Sequence, residues 1–167
     1  MSISLWPHQE QSIDLLRKSI SAGKRRPMLQ VPTGGGKTRT AGAIVSLMRQ
    51  RGKKALFIVA AISLIDQTVQ SFYDLGLTGI GVIQADHAMT DWSKPIQVAS
   101  VQTLQRRGMP EADLAIVDEA HVRNQWLESE FAAEAWGSKP VIGLSATPWA
   151  KGLGLAYDEL IAPVTMK

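Results

Sequence analysis

The chain of 167 residues has no cysteine and only three histidines, His8, His87 and His121. Without thiols, a disulfide framework and thiolate catalysis are both excluded, and three scattered imidazoles do not complete a zinc cage. No apolar run approaches the roughly 18 to 20 residues that span a bilayer. The amino terminus, Met1-Ser2-Ile3-Ser4-Leu5-Trp6-Pro7, lacks the basic-then-apolar plan of a signal peptide, so an intracellular protein without a membrane partner is expected. With 45% hydrophobic and 20% charged residues the chain is neither disordered nor collagen-like, and its length suits a single domain over residues 1–167.

Charge is distributed unevenly. Residues 1–60 hold 11 Lys and Arg against 2 Asp and Glu, whereas residues 61–167 hold 7 against 13. Such an asymmetry suits a polyanion on one side of the fold, either nucleotide phosphates or a nucleic-acid backbone. Taken alone, individual clusters such as Lys24-Arg25-Arg26 or Arg51, Lys53 and Lys54 are read as solvated helix faces.

Short apolar runs alternate with longer periodic stretches. Ile13, Leu16 and Ile20 stand at helical spacing over residues 8–22, with Gly23 as a stop. Runs at 28–31, 55–59, 80–83, 96–99, 114–117 and 141–144 read as strands buried on both faces, and helices are expected over 36–51 and 63–75. This is the pattern of an α/β domain, an open, mainly parallel sheet flanked by helices on both faces, which takes ligands at the carboxyl ends of its strands. Trp92, Trp126, Trp136 and Trp149 are read as packing or surface anchors rather than base-stacking platforms.

Directly after the first core strand comes Val31-Pro32-Thr33-Gly34-Gly35-Gly36-Lys37-Thr38. Glycines here let backbone amides wrap phosphates, and the following helix adds the positive end of its dipole. Lys37 is placed to reach the β- and γ-phosphates, and the Thr38 hydroxyl to ligate magnesium. The strict pattern asks for glycine at position 31, where Val31 stands. A second motif, Asp118-Glu119-Ala120-His121, puts two carboxylates at a strand tip, Asp118 for magnesium and Glu119 to polarise an attacking water. A third, Ser145-Ala146-Thr147, offers small hydroxyls at another strand end that can relay nucleotide state elsewhere.

These three motifs, in this order, resemble the first RecA-like domain of superfamily 2 helicases and translocases, in the branch with a DEAH motif and close to restriction-enzyme motor subunits of bacteria and phages. The resemblance runs from Trp6 to Pro148. It implies ATP hydrolysis with Mg2+ on a RecA-like P-loop fold. Lys37, Asp118 and Glu119 would be catalytic, Thr38 and Asp118 would hold the metal, and Gln9, Thr33, Gly34, Gly35, Gly36, Lys37 and Thr38 would bind nucleotide. His121, Ser145 and Thr147 would couple the site to other surfaces; Ser63, Gln67, Gln102 and Thr103 would face nucleic acid, DNA rather than RNA. The resemblance also implies a cytoplasmic setting in a bacterium or phage-infected cell. Such motors close their site with arginines from a second RecA-like domain. Nothing after Thr147 matches that element, so weak turnover and dependence on a second domain are expected. Double-strand translocation without unwinding, and a nucleotide-gated clamp, remain open alternatives; a transporter ATPase is disfavoured by the lack of a Leu-Ser-Gly-Gly-Gln signature.

Overall fold

Every long apolar run becomes a strand. The computed structural model describes residues 3–32, 36–84, 87–148 and 152–162. Its strands are β1 (Pro27–Gln30), β2 (Ala55–Val59), β3 (Ile80–Ile83), β4 (Ile96–Ser100), β5 (Leu114–Val117), β6 (Val141–Ser145) and β7 (Glu159–Ile161). The helices are α1 (Pro7–Ser21), α2 (Lys37–Gln50), α3 (Ile65–Asp74), α4 (Val101–Arg107), α5 (Gln125–Ala132) and the short α6 (Leu153–Ala156). One sheet results, in the order β3-β4-β2-β5-β6-β1-β7, and every pairing among the described residues is parallel.

The strands are apolar throughout because both faces are covered. Alternate residues feed two cores: Leu29, Phe57, Val98 and Ile116 meet α1, α2 and α3 on one face, while Met28, Leu56, Ala115 and Val117 meet α4, α5 and α6 on the other. Fully covered strands cannot show the in-and-out alternation of a half-solvated sheet.

The expected strands and the first helices fall within one or two residues of the observed ones. Three elements go beyond the sequence reading. The segment from Ser100 is a helix, α4, capped by the Ser100 hydroxyl accepting from the Thr103 amide at 3.2 Å. Asn124 caps α5 in the same way, from the Leu127 amide at 2.9 Å. After residue 148, β7 adds an edge strand beside β1. Trp136 packs edge-on against Phe131 and is buried, Trp126 packs on the same core, and Trp92 is at the surface, 43% exposed. Trp149 lies outside the described residues.

Gly143, in the middle of β6, is where the second face comes closest to the sheet. A Cβ there would stand 2.6 Å from Tyr157 Cε1 and 2.9 Å from Ala120 Cβ, inside contact distance of two packed groups. Gly143→Ala is therefore expected to destabilise the chain by about 1–3 kcal/mol, the usual cost of overpacking. A urea or thermal melt checks this; an unchanged midpoint would contradict the packing described.

Candidate functional site

With all strands parallel, the loops that leave β1, β2, β4, β5 and β6 emerge on one edge. Gly36 opens α2 with φ +74°, a left-handed backbone that a side chain disfavours. Lys37 and Thr38 form the first turn of α2 behind it. Val31, where the strict phosphate-loop pattern has glycine, is buried in the core and donates its amide to the Ser145 carbonyl at 2.9 Å. At this position the side chain serves the sheet. Thr33, Gly34 and Gly35, expected to wrap phosphates, lie outside the described residues.

Gln9 is tied to this loop. It is 1% exposed, its Oε1 accepts from the Trp6 amide at 2.9 Å, and its Nε2 points at the Gly36 carbonyl at 3.4 Å. A Cβ on Gly36 would collide with Gln9 Nε2 at 2.2 Å. The start of α1 is thus registered against the start of α2, a link that sequence spacing alone does not reveal.

Across the sheet edge, Lys37 Nζ lies 2.8 Å from Asp118 Oδ1 and 2.5 Å from Glu119 Oε1. Burial lowers the affinity of this ammonium for its proton, but the hydrogen bonds and charges of Asp118 and Glu119 outweigh it, so its pKa is raised above the ordinary lysine value. Glu119 has φ +52°, the only positive φ at a non-glycine among the described residues. Asp118 Oδ1 accepts from the Glu119 amide at 2.9 Å and helps to hold this turn.

His121 continues the chain of contacts. Its Nε2 is 3.4 Å from Glu119 Oε2 and its Nδ1 is 2.8 Å from Ser145 Oγ. Ser145, fully buried at the end of β6, also accepts from the Thr147 amide at 3.0 Å. Assigning the Ser145 hydroxyl proton to Nδ1 leaves Nε2–H facing Glu119 and satisfies all three groups. Lys37, Glu119, His121, Ser145 and Thr147 therefore form one connected path from β1 to β5 to β6.

The residues expected to face nucleic acid divide. Ser63, Gln67 and Gln102 are exposed on the segments following β2 and β4, and Gln102 Nε2 approaches the Ala60 carbonyl at 3.4 Å. Thr103 is instead turned inward and 7% exposed; its Oγ1 accepts from the Ser100 hydroxyl at 3.0 Å. Thr103 thus shapes the helix start rather than presenting a hydroxyl to solvent. A cavity of about 500 Å³ joins the two regions, with Ala60, Gln102, Asp118 and Glu119 among its lining residues. Arg123, also on its wall, pairs with Glu128 at 2.5 Å.

The charge asymmetry does not serve this edge as the sequence suggested. Of the basic residues in positions 1–60, only Lys37 and Arg39 belong to the phosphate-loop end of α2; the others lie in the last turns of α1 and α2 or in the loops before β1 and β2, on the opposite edge. Of these, Arg25 and Arg26 line the same cavity as Asp118 and Glu119.

A family model described as the type III restriction enzyme, res subunit, matches residues 2–150. The endonuclease subunit of the Escherichia coli type I restriction enzyme EcoKI is 36% identical over 130 residues, covering 68% of this chain and 11% of that protein. Among solved structures, the UvsW helicase of bacteriophage T4 superposes with a TM-score of 0.79 at 19% identity, over 96% of this chain and 61% of that one. The Sulfolobus solfataricus SWI2/SNF2 ATPase core in complex with dsDNA gives a TM-score of 0.67 at 18% identity, over 92% and 34% of the two chains. This chain thus spans about a tenth of the curated relative and a minority of the ATPase core. With the matched family, the parallel sheet and the three ordered motifs together, the chain belongs to the type III restriction enzyme res subunit family, and its fold is the RecA-like domain of superfamily 2 helicases.

Proposed function

We propose that this chain is the ATP-binding motor domain of a DNA translocase or helicase, in which Lys37, Thr38, Asp118 and Glu119 form one half of an ATP hydrolysis site. The observation that carries this reading is the meeting of Lys37 with both Asp118 and Glu119. A phosphate-loop lysine within 3 Å of two strand-tip carboxylates brings the groups that hold phosphate and direct water to one place. In the relatives, helicase, ATPase and restriction endonuclease functions accompany the same fold, and one solved relative is bound to double-stranded DNA.

The residues fit ATP with magnesium. Gly36 supplies the left-handed backbone that opens α2, and the positive end of that helix's dipole favours phosphate. Thr38 and Asp118 would hold Mg2+, whose contribution when bound is to neutralise charge on the phosphates. Phosphate oxygens give Lys37 a competing anionic partner and so release Glu119. The freed carboxylate orients a water and draws off its proton as that oxygen bonds to the γ-phosphorus and the bond to the ADP oxygen breaks. Gln9 holds the loop beside the base end of the nucleotide. His121, Ser145 and Thr147 then carry the change at Glu119 to β6, and Ser63, Gln67 and Gln102 contact the nucleic-acid backbone. A second RecA-like domain supplies the missing arginines, so the chain by itself turns over slowly, since such a residue is worth roughly 10³–10⁵ in rate in related systems.

Substitutions at Glu119 and Lys37, followed by two activity assays, test this. Glu119→Gln is expected to lower phosphate release by about 10²–10⁴ in the complete motor while leaving nucleotide affinity intact. Lys37→Ala is expected to abolish magnesium-dependent nucleotide binding in a titration with a fluorescent ATP analogue; equal binding by both proteins would remove the basis of the assignment. In the nucleotide-free chain, Lys37→Ala also leaves two neighbouring carboxylates without their cation, for an expected loss of about 1 kcal/mol in a urea melt after allowing for solvent screening. Because the Lys37 pKa is raised, that difference should be constant from neutral pH up to the ordinary lysine value of 10.5 and shrink only as pH climbs through the higher folded value. Finally, strand-displacement and duplex-stimulated ATPase assays separate unwinding from translocation.

A further inference from the structure

The chain that carries Glu119 leaves β5, turns, and enters α5 at Gln125. On the β5 side the turn is held by Asp118 Oδ1, which accepts from the Glu119 amide at 2.9 Å. A separate pair of side chains holds its exit. Arg123 stands one residue before Asn124, the cap of α5, and Glu128 stands in the first turn of that helix. Arg123 Nε lies 3.2 Å and Nη2 2.5 Å from Glu128 Oε1. These are the two positions at which an apolar pair commonly staples the incoming chain to a helix and so sets its angle of entry. Here the staple is ionic, and its carboxylate also sits where the dipole of α5 favours negative charge.

Gly152 closes the other side of the guanidinium. It opens α6 with φ +84°, and a Cβ there would overlap Arg123 Nη1 and stand 3.4 Å from Cζ. A left-handed backbone and a close approach thus both fall on one glycine. Between its two ends the turn has little freedom. The Ala120 amide donates to the Leu144 carbonyl at 2.9 Å and the Val122 amide to the Glu119 carbonyl at 3.0 Å. Relaxing the φ of +52° at Glu119 swings the chain that follows it, and that chain is fastened at Arg123.

We propose that Arg123 is a positioning residue for hydrolysis, which keeps the Glu119 carboxylate in place through the Arg123–Glu128 staple. This rests on the reading of Glu119 as the group that directs water. An exposed arginine near this edge would ordinarily be read as a phosphate contact. Its Nε and Nη2 are instead given to Glu128, and Gly152 lies against Nη1.

The test is a double-mutant cycle in the complete motor, read as kcat and KM for ATP at saturating duplex DNA. Arg123→Ala is expected to lower kcat about tenfold or more, as a small misplacement of a reacting group does, with KM unchanged within about twofold. Glu128→Gln should give a similar fall, and the double variant no further one, because both remove the same staple. Arg123→Lys keeps the charge but not the planar fork and should recover part of the rate. Rates are read well below each variant's circular dichroism melt. A merely structural role would lower the melt and leave the kcat of the folded protein unchanged, and that result overturns the proposal. It is also overturned if the two losses multiply. The same holds if Arg123→Ala raises the DNA concentration needed for half-maximal rate while kcat at saturation is kept, which makes Arg123 a nucleic-acid contact. If Glu119→Gln leaves the rate of the same motor unchanged, the reading of Glu119 fails and the positioning role with it. If Glu119→Gln is slow and Arg123→Ala is not, the positioning role alone fails.

Discussion

In a sheet whose strands all run the same way, every carboxyl end falls on one edge, and the order of the strands decides which loops can meet there. Here β5 lies between β2 and β6, and β1 lies beyond β6. The tip of β5 therefore sits one strand from the loop after β2 and one strand from Ser145. The phosphate loop is two strands away, roughly 10 Å at ordinary strand spacing. Lys37 spans that gap because α2 starts above the sheet and a lysine side chain is long; its ammonium ends 2.8 Å from Asp118. A shorter cation at this position would not connect β1 to β5, and without that connection the two halves of the site would be separate loops.

The same contact sets the electrostatics of the nucleotide-free site. One ammonium faces two carboxylates, so the cluster keeps an excess negative charge that favours a further cation. Partial burial makes such a cluster a poor source of stability, since desolvation offsets most of the attraction. In the proposed hydrolysis site its significance would lie in exchange: an incoming phosphate would compete for Lys37, a metal would compete for Asp118, and Glu119 would be left free. Glu119 is already held in an unfavourable backbone region, at a cost on the order of 1–2 kcal/mol for a residue with a Cβ. Its neighbours enforce that turn, with the Ala120 amide on the Leu144 carbonyl at 2.9 Å and the Val122 amide on the Glu119 carbonyl at 3.0 Å. Backbone strain at this carboxylate, fixed by the adjacent strand, ties the conformation of Glu119 to that of β6.

Much of this was legible in the sequence because the strands are covered on both sides. Runs such as Leu56-Phe57-Ile58-Val59 can be read without knowing the fold, and glycines followed by Lys37-Thr38 announce a phosphate loop by spacing alone. What escaped depends on contacts distant in sequence. Glu159-Leu160-Ile161 is too short and too mixed to be read as a strand, and is one only because the edge of β1 is open to it. Gln9 is a polar residue in the first turn of a helix, ordinarily at the surface; its burial follows from the approach of Gly36, 27 positions away. Thr103 shares a motif with an exposed neighbour, yet the helical turn directs it inward, a distinction of one residue that linear spacing does not carry.

The placement of positive charge shows most clearly why composition and function had to be separated. The edge opposite the nucleotide site uses part of its charge internally. The Arg26 guanidinium donates to the carbonyls of Phe131, Trp136 and Lys139, at 2.7 Å, 2.9 Å and 2.7 Å, and stands over the Phe131 ring. Burial pulls its pKa below the ordinary arginine value, with Asp158 acting against that shift. Lys139 in turn donates to the Ala112 carbonyl at 2.7 Å. These cations satisfy carbonyls at the end of α5 and just before β5 and β6, so they belong to the fold as much as any apolar residue does. Arg17, Arg51 and Lys53 are exposed and form no ion pair among the described residues. A surplus of charge counted along the chain thus resolves into cations that close the sheet, one that joins the start of α2 to the tip of β5, and a remainder exposed to solvent.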